Sequence, residues 1–181
     1  MLIISECKVN KKAVVDGRIV AQTRLSTVVR YLSPLRKIVA QGYGTSDKRS
    51  AFNLAVAHIL RYGLQGEYPA LGVDPKGVRL TKGTLLIPPN PGVVRVEDKL
   101  LLTFHTVVNS FNAFGDDRVV LCAYNPQIGV AGINEEECLR MDGHLELELP
   151  VQLAEERVQI YLFVHDRKQK RFSDSIYLGE Y

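Results

Sequence analysis

The sequence contains no tryptophan, only three cysteines, and no apolar run approaching the roughly 18 residues of a transmembrane helix. The cysteines lack CxxC spacing, and an odd number of thiols without that motif favours reduced side chains in the cytosol. The segment Met1–Cys7 has neither the basic flank nor the apolar length of a signal peptide. We therefore expect cytoplasmic synthesis and no membrane insertion.

The motifs of common catalytic sites are also missing. There is no GxSxG nucleophile motif and no EF-hand pattern. The fragment Gly42-Tyr43-Gly44 follows a predicted helix, whereas a dinucleotide-binding turn follows a strand. A zinc site could draw on Cys122, His105, His165 and Asp166, but their spacing does not require them to converge. We predict a protein that is not an enzyme and that carries no cofactor.

The charges are distributed unevenly along the chain. Residues 1–50 contain ten Lys/Arg and three Asp/Glu, a balance of +7, whereas residues 101–181 contain seven and thirteen, a balance of −6. This asymmetry fits a nucleic-acid-binding arm, two surfaces that attract each other between copies, or simply solvated faces. The candidate interaction residues in the two regions are Arg18, Arg24, Arg30, Arg36, Lys37, Glu135, Glu136 and Glu137. The arginines step by six residues, which turns each about 120° from the last on a helix, so they form no single stripe and nucleic acid is not a predicted partner.

The amino-terminal region has the pattern of a β-hairpin. Asp16-Gly17 suits the two positive φ angles of a type I′ turn, and β-branched residues flank it within Val14–Val20. A lone hairpin is marginal in water, so we expect it to pack on something or to pair with a neighbouring chain. We assign residues 1–24 to this arm.

Two helical regions are predicted between residues 25 and 66. Apolar residues spaced by threes and fours run from Leu25 to Val39, and Ser33-Pro34 breaks the pattern into two helices that end at Gly42. A further helix is predicted from Asp47 to Tyr62. His58 lies within its apolar stripe and is predicted to pack there.

The last hundred residues have the alternation of a β-sandwich. Leu145-Glu146-Leu147-Glu148-Leu149 is the cleanest half-buried strand. The Gly- and Pro-rich stretch from Gln65 to Pro75 separates the helices from an immunoglobulin- or fibronectin-III-like sandwich at residues 76–181, so the fold class is α+β, mainly β. Val119–Tyr124 and Val158–Val164 are apolar on both faces, which predicts central strands whose second face the helices could cover. The predicted strands are Val78–Leu80, Thr84–Ile87, Val93–Val96, Lys99–Val108, Arg118–Tyr124, His144–Leu149, Arg157–Val164 and Ser173–Leu178, with Gln127–Glu137 as the longest loop.

Six short segments in order carry a resemblance to a known family. They are Ala51-Phe52-Asn53-Leu54-Ala55, Gly66-Glu67-Tyr68-Pro69, Lys82-Gly83-Thr84-Leu85, Ala123-Tyr124-Asn125-Pro126, Tyr161-Leu162-Phe163 and Ser173-Asp174-Ser175-Ile176-Tyr177-Leu178-Gly179. Over residues 25–181 the chain resembles a bacterial family known only as a domain of unknown function. Its members usually open with a glycine-rich segment, from which residues 1–24 depart. The resemblance implies helices followed by a sandwich, and no activity, cofactor or site residue.

These features predict a structural or interaction protein. Immunoglobulin-like domains without a secretion signal occur in particles assembled inside the cell, such as virions or injection machines, and oppositely charged ends suit head-to-tail contacts between copies. The alternative is a module that binds a carbohydrate or a peptide. Phe111 and Phe114 are its candidate contact residues, although both could instead plug the end of the sandwich.

Overall fold

The computed structural model describes residues 16–44 and 48–181, the side chain of Lys48 excepted. The helical layer comes first along the chain. It comprises α1 (Gly17–Leu32), a single 3₁₀ turn (Ser33–Leu35), α2 (Arg36–Gly42) and α3 (Lys48–Tyr62). The break at Ser33-Pro34 and the third helix confirm the helices that were predicted from the spacing of apolar residues. No helix in the described ranges is long and apolar enough to cross a membrane.

The predicted hairpin is wrong from Asp16 onward. The Asp16 carboxylate accepts a hydrogen bond of 2.9 Å from the N–H of Arg18, so Asp16 is the N-cap of α1 and Gly17 is its first residue. Aspartate is favoured both in tight turns and at helix N-caps, and the helical alternative prevails here. Residues 1–15 of the predicted arm lie outside the described residues, Asp16 is the N-cap, and residues 17–24 are helical.

Ten short strands follow in three antiparallel sheets. The strands are β1 (Leu64–Gln65), β2 (Gly72–Val73), β3 (Gly92–Val96), β4 (Lys99–Thr103), β5 (Arg118–Asn125), β6 (Val130–Ile133), β7 (Cys138–Leu139), β8 (His144–Glu148), β9 (Gln159–His165) and β10 (Ile176–Glu180). β1 pairs with β2, the second sheet has the order β3-β4-β8, and the third has the order β10-β9-β5-β6 with β7 also on β5. In immunoglobulin nomenclature these orders are A-B-E and G-F-C-C′, which confirms the predicted fold class.

Alternate residues of the central strands belong to two different cores. Val120 and Tyr124 of β5 pack with Tyr161 of β9 against the helices, in a cluster that includes Val28, Leu35 and Ile59. Leu121 of β5 and Leu162 of β9 face the other sheet and pack against Leu100, Leu102, Leu145 and Leu147. Helices, large sheet and small sheet therefore form three layers, and the expectation that the helices cover the central strands is confirmed.

Four of the predicted segments differ from the observed strands. Val78–Leu80 is not a strand, because side chains hold this part of the chain: the Leu80 N–H donates to Ser175 Oγ at 2.8 Å, and the Thr81 hydroxyl donates to the Ser173 carbonyl at 2.8 Å. Thr84–Ile87 is not a strand either, because Leu85 forms only an isolated bridge with Ser173. Lys99–Val108 ends as a strand at Thr103, and the last strand begins at Ile176. The predicted loop Gln127–Glu137 contains β6, whose mixed Val-Ala-Gly-Ile sequence gave little alternation.

Candidate functional site

A groove of about 1150 Å³ runs along one side of the sandwich, between β8 on one wall and β6 with the loop after it on the other. We call it the acidic groove. Six carboxylates and no lysine or arginine line it. The six carboxylates belong to Glu135, Glu136, Glu137, Asp142, Glu146 and Glu148. Two exposed apolar side chains, Ile133 and Val151, also line it, the latter 90% exposed. The groove therefore combines negative charge with apolar contact surface.

The groove lies where the small sheet has no fourth strand. An immunoglobulin constant domain has the order A-B-E-D, but in the described chain β8 pairs only with β4. The Leu149 N–H donates to the Asp98 carbonyl at 2.7 Å, and the Phe104 N–H donates to the Gly143 carbonyl at 3.0 Å. Because alternate residues of a strand bond to opposite sides, the backbone groups of Glu146 and Glu148 point away from β4 and toward the groove. β8 thus presents an edge that is unpaired at Glu146 and Glu148, whereas the His144 carbonyl accepts from the Cys138 thiol at 3.2 Å.

Asn134 holds the glutamate loop in place on the opposite wall. Its side-chain oxygen accepts a 2.9 Å hydrogen bond from the Leu121 N–H of β5, and its amide donates to the Glu136 carbonyl at 2.8 Å. It thereby fills the gap in the β5 ladder between β6 and β7. The sequence-predicted residues Glu135, Glu136 and Glu137 are all exposed at this wall. The sequence did not indicate that these residues lie across the groove from Glu146 and Glu148, because that arrangement depends on which strand edges remain unpaired.

Two of the six carboxylates are neutralised locally. Glu137 forms an ion pair of 2.7 Å with Arg118, and Glu146 forms one of 2.5 Å with Lys99. Asp142 accepts a hydrogen bond from the Leu139 N–H at 2.7 Å. Glu135, Glu136 and Glu148 make no ion pair within the described residues. The groove keeps a net negative charge that a cationic ligand would compensate.

The basic residues predicted to interact lie on α1 and α2, which carry five cations and no carboxylate between residues 17 and 42. Arg18, Arg24, Arg30, Arg36 and Lys37 are all exposed. The Arg36 guanidinium lies 4.0 Å from the ring centroid of Phe52, so this cation packs on α3. The first buried residue of α1 is Val28, and Ile19 and Leu25 before it are about half exposed. These two helices therefore carry cations with no carboxylate on the same segment.

The two candidate phenylalanines have different environments. Phe111 is 81% exposed in the loop between β4 and β5, whereas Phe114 is partly buried and packs against the core between the sheets. Phe114 therefore plugs the end of the sandwich, and Phe111 does not. Loops at the same end leave other apolar side chains about half exposed. Together with Phe111 they form the apolar loop patch, which consists of Leu86, Val107, Val108, Phe111 and Met141.

A buried ion pair that the sequence did not predict supports this patch. Arg140 and Asp117 are 0% and 1% exposed, and the Arg140 Nη2 lies 3.1 Å from the Asp117 Oδ2. The same oxygen accepts the Phe114 N–H at 2.8 Å, and the Arg140 Nη2 donates to the Leu86 carbonyl at 2.5 Å. The pair therefore fastens three loops to one another. No sequence signal marks it, because the partners are 23 residues apart in strands and loops of ordinary composition.

Three tyrosines join the helices to the large sheet. The Tyr124 hydroxyl donates to the Tyr31 carbonyl at 2.6 Å, and the hydroxyls of Tyr31 and Tyr161 lie 2.8 Å apart. Burial raises the pKa of Tyr124 to about 12 and raises the pKa values of Tyr31 and Tyr161 still further. These phenols stay protonated at neutral pH and act as structural hydrogen-bonding groups.

The hypothetical zinc ligands do not meet. Cys122 is fully buried within β5, where burial raises the pKa of its thiol to about 12. His165 stacks against Phe172 at the end of β9, and the exposed His105 contacts Asn90 at 3.2 Å. No group of three or more His, Cys, Asp or Glu that could hold a metal ion occurs in the described ranges. His58 packs with its ring centroid 4.8 Å from that of Tyr62, as its position in the stripe predicted.

Comparisons with known proteins identify a family and no function. The chain matches no curated protein and no solved structure. One family model, described as a family of unknown function (DUF6266), matches residues 3–179. The match confirms the resemblance and extends it to residues 3–24, which the sequence analysis had placed outside the resemblance. Since the matched range spans nearly the whole sequence, the chain belongs to this family of unknown function, DUF6266.

Proposed function

We propose that this protein is a non-enzymatic structural component that associates with copies of itself in a larger particle assembled in the cytoplasm, in the manner of a virion or injection-machine subunit. The observation that carries the proposal is that the cations of α1 and α2 and the carboxylates of the acidic groove lie in different parts of the fold. Five cations and no carboxylate occupy residues 17–42, and six carboxylates and no lysine or arginine line the acidic groove. Two regions of opposite charge at different places on one molecule favour heterologous contacts between copies, and such contacts build rings or filaments.

The structural details support a contact between chains. The amino-terminal half of α1 has no buried residue, so packing against the described part of the chain gives it little stability. The unpaired edge of β8 offers backbone donors and acceptors to a second molecule. Both features are costly in a protein that acts alone, and both are accounted for if neighbouring copies cover them.

Sedimentation velocity at rising protein concentration tests the proposal. We expect species larger than a monomer at low ionic strength and dissociation in 0.5 M NaCl, where the screening length falls to about 4 Å. Electron microscopy of the low-salt sample should show rings or filaments. A protein that stays monomeric at high concentration in low salt contradicts the proposal.

The second candidate function is binding of a carbohydrate or peptide, and the apolar loop patch favours it. Phe111 is 81% exposed, and the Arg171 guanidinium donates to its carbonyl at 3.2 Å, so the loop is held while the ring faces solvent. Glycan and peptide arrays test this function, with Phe111→Ala as the variant that should lose binding. Equal binding by the variant and the parent protein would contradict a role for the patch.

A further inference from the structure

We propose that the acidic groove accepts an extended strand, residues 8–15 of a second copy, which pairs with β8 and completes the small sheet. This inference rests on the proposed self-association and names its contact. The strand would occupy the position of strand D in the immunoglobulin order A-B-E-D. This mode of recognition adds a strand to an exposed sheet edge, with backbone hydrogen bonds for affinity and side chains for selectivity.

The backbone geometry of β8 fits a fourth strand. The N–H and C=O groups of Glu146 and Glu148 point toward the groove, because Gly143 and Leu149 bond to the β4 side. Leu145 and Leu147 are buried between the sheets, and the Glu146 and Glu148 side chains face outward. The edge is therefore in strand conformation before any partner arrives, so pairing requires little reordering of β8.

The charge of the occupant follows from the lining of the groove. Residues 8–15 read Lys-Val-Asn-Lys-Lys-Ala-Val-Val, with three cations, no carboxylate and three β-branched valines. An antiparallel register that sets Lys8 opposite Glu148 also sets Asn10 opposite Glu146 and Lys12 opposite His144. Glu135, Glu136 and Glu137 on the other wall are then available to Lys11.

The position of α1 favours a second copy over the same chain as the source of the strand. The Pro34 side chain, just after α1, lies 3.6 Å from the Cβ position of Gly129, next to the start of β6. From there α1 runs back through 16 residues, about 24 Å, to Asp16. Val20 and Arg24 in its first half line a small pocket with the β1–β2 turn, which belongs to neither wall of the groove. Residues 8–15 directly precede Asp16 in the sequence, so we assign the strand in the groove to a second copy.

A thiol cross-link tests the contact. Cys7 adjoins the proposed strand, and Cys122 and Cys138 are buried, so a thiol introduced by Val151→Cys at the groove is the accessible partner for Cys7. We expect a short bismaleimide to link Cys7 of one chain to that thiol of another, giving a dimer on a denaturing gel. Val94→Cys is the matched control, since Val94 is 60% exposed on β3 at the other edge of the same sheet. A link within one chain, no link, or equal linking by the control overturns the inference.

Charge reversal gives an independent measurement. Lys8→Glu, Lys11→Glu and Lys12→Glu together should weaken self-association at least about tenfold, or about 1.4 kcal/mol, in sedimentation. The control reverses Arg167, Lys168 and Lys170, three exposed cations between β9 and β10, and should leave association unchanged. If the parent protein self-associates but neither the cross-link nor the reversal behaves as expected, this inference fails alone. If the parent protein is monomeric, the proposed function fails with it.

Discussion

The Arg140 guanidinium and the Asp117 carboxylate meet at 3.1 Å in a region closed to solvent, while the Arg140 Nη1 has no hydrogen-bond partner among the described residues. Removing one partner of such a pair leaves an uncompensated buried charge, which costs about 3–5 kcal/mol. We expect Asp117→Asn to lower the free energy of unfolding by about this amount, measured by urea denaturation. The exposed pair Arg118–Glu137 is the control, and Glu137→Gln should cost less than about 1 kcal/mol. Equal effects of the two substitutions would show that burial of the Arg140 pair does not matter.

The buried tyrosines predict a loss of stability at alkaline pH. Burial raises the pKa values of Tyr43 and Tyr124 to about 12 in the folded protein, whereas an unfolded tyrosine has a pKa near 10. Between about pH 10 and 12 the folded state holds protons that the unfolded state has released, so stability falls as pH rises. Each such group contributes a slope of about 1.4 kcal/mol per pH unit.

The tyrosine contribution can be separated from a general loss of stability. Tyr124→Phe removes the hydroxyl that donates to the Tyr31 carbonyl, and it also removes one titrating group. We expect the variant to be less stable at pH 8 and to show a shallower decline between pH 10 and 12 in urea denaturation. A decline as steep as that of the parent protein would contradict the assignment.

Two glycines should respond in opposite directions to alanine substitution. A Cβ at Gly83 would overlap the carbonyl oxygen of Phe172, so Gly83→Ala forces the backbone to move and should cost about 1–3 kcal/mol. Gly17 begins α1 and has no heavy atom within 4 Å of its Cβ position. Gly17→Ala should therefore stabilise the protein by about 0.5 kcal/mol, because alanine loses less conformational freedom on folding. Thermal unfolding of both variants shows whether each substitution raises or lowers the stability. Destabilisation by Gly17→Ala would contradict the statement that a side chain fits at the start of α1 without a clash.

The buried thiols should be unreactive in the native state. Burial raises the pKa of Cys122 to about 12 and that of Cys138 to about 11, and thiolate is the reactive form. In a Cys7→Ser background we expect a disulfide reagent to detect no thiol in native buffer and two after denaturation. Rapid labelling of either cysteine in native buffer would contradict their burial and would also complicate the cross-linking test.

The strands in which apolar and polar residues alternate could be predicted, because one face of such a strand is buried and the other faces solvent. Leu145, Leu147 and Leu149 are buried as their spacing indicates, and β5 and β9 are central as their continuous apolar sequence indicates. The strand β6 was missed because Val130–Ile133 includes glycine and alanine and is only partly buried. The prediction of a hairpin turn at Asp16-Gly17 was wrong, because the same local sequence suits both a hairpin turn and a helix N-cap.

The candidate site was harder to predict than the fold. Glu135, Glu136 and Glu137 were identified, but their relation to Glu146 and Glu148 arises only when β6 and β8 come to lie on opposite sides of one opening. That arrangement depends on a missing strand, and a sequence pattern marks only strands that are present. Phe111 and Phe114 are equivalent in sequence, and only the packing of the loop decides which one is exposed.

The hydroxyls of the buried tyrosines also fix the register of β5. Val119, Leu121 and Ala123 face one core and Val120, Cys122 and Tyr124 face the other, so a one-residue slip would exchange two sets of apolar side chains at little hydrophobic cost. The slip would, however, move the Tyr124 hydroxyl between the two sheets, away from the Tyr31 carbonyl, and an unsatisfied buried hydroxyl costs about 1–3 kcal/mol. In a strand covered by apolar surface on both sides, one phenolic oxygen thus provides a penalty against misalignment that hydrophobicity alone does not provide.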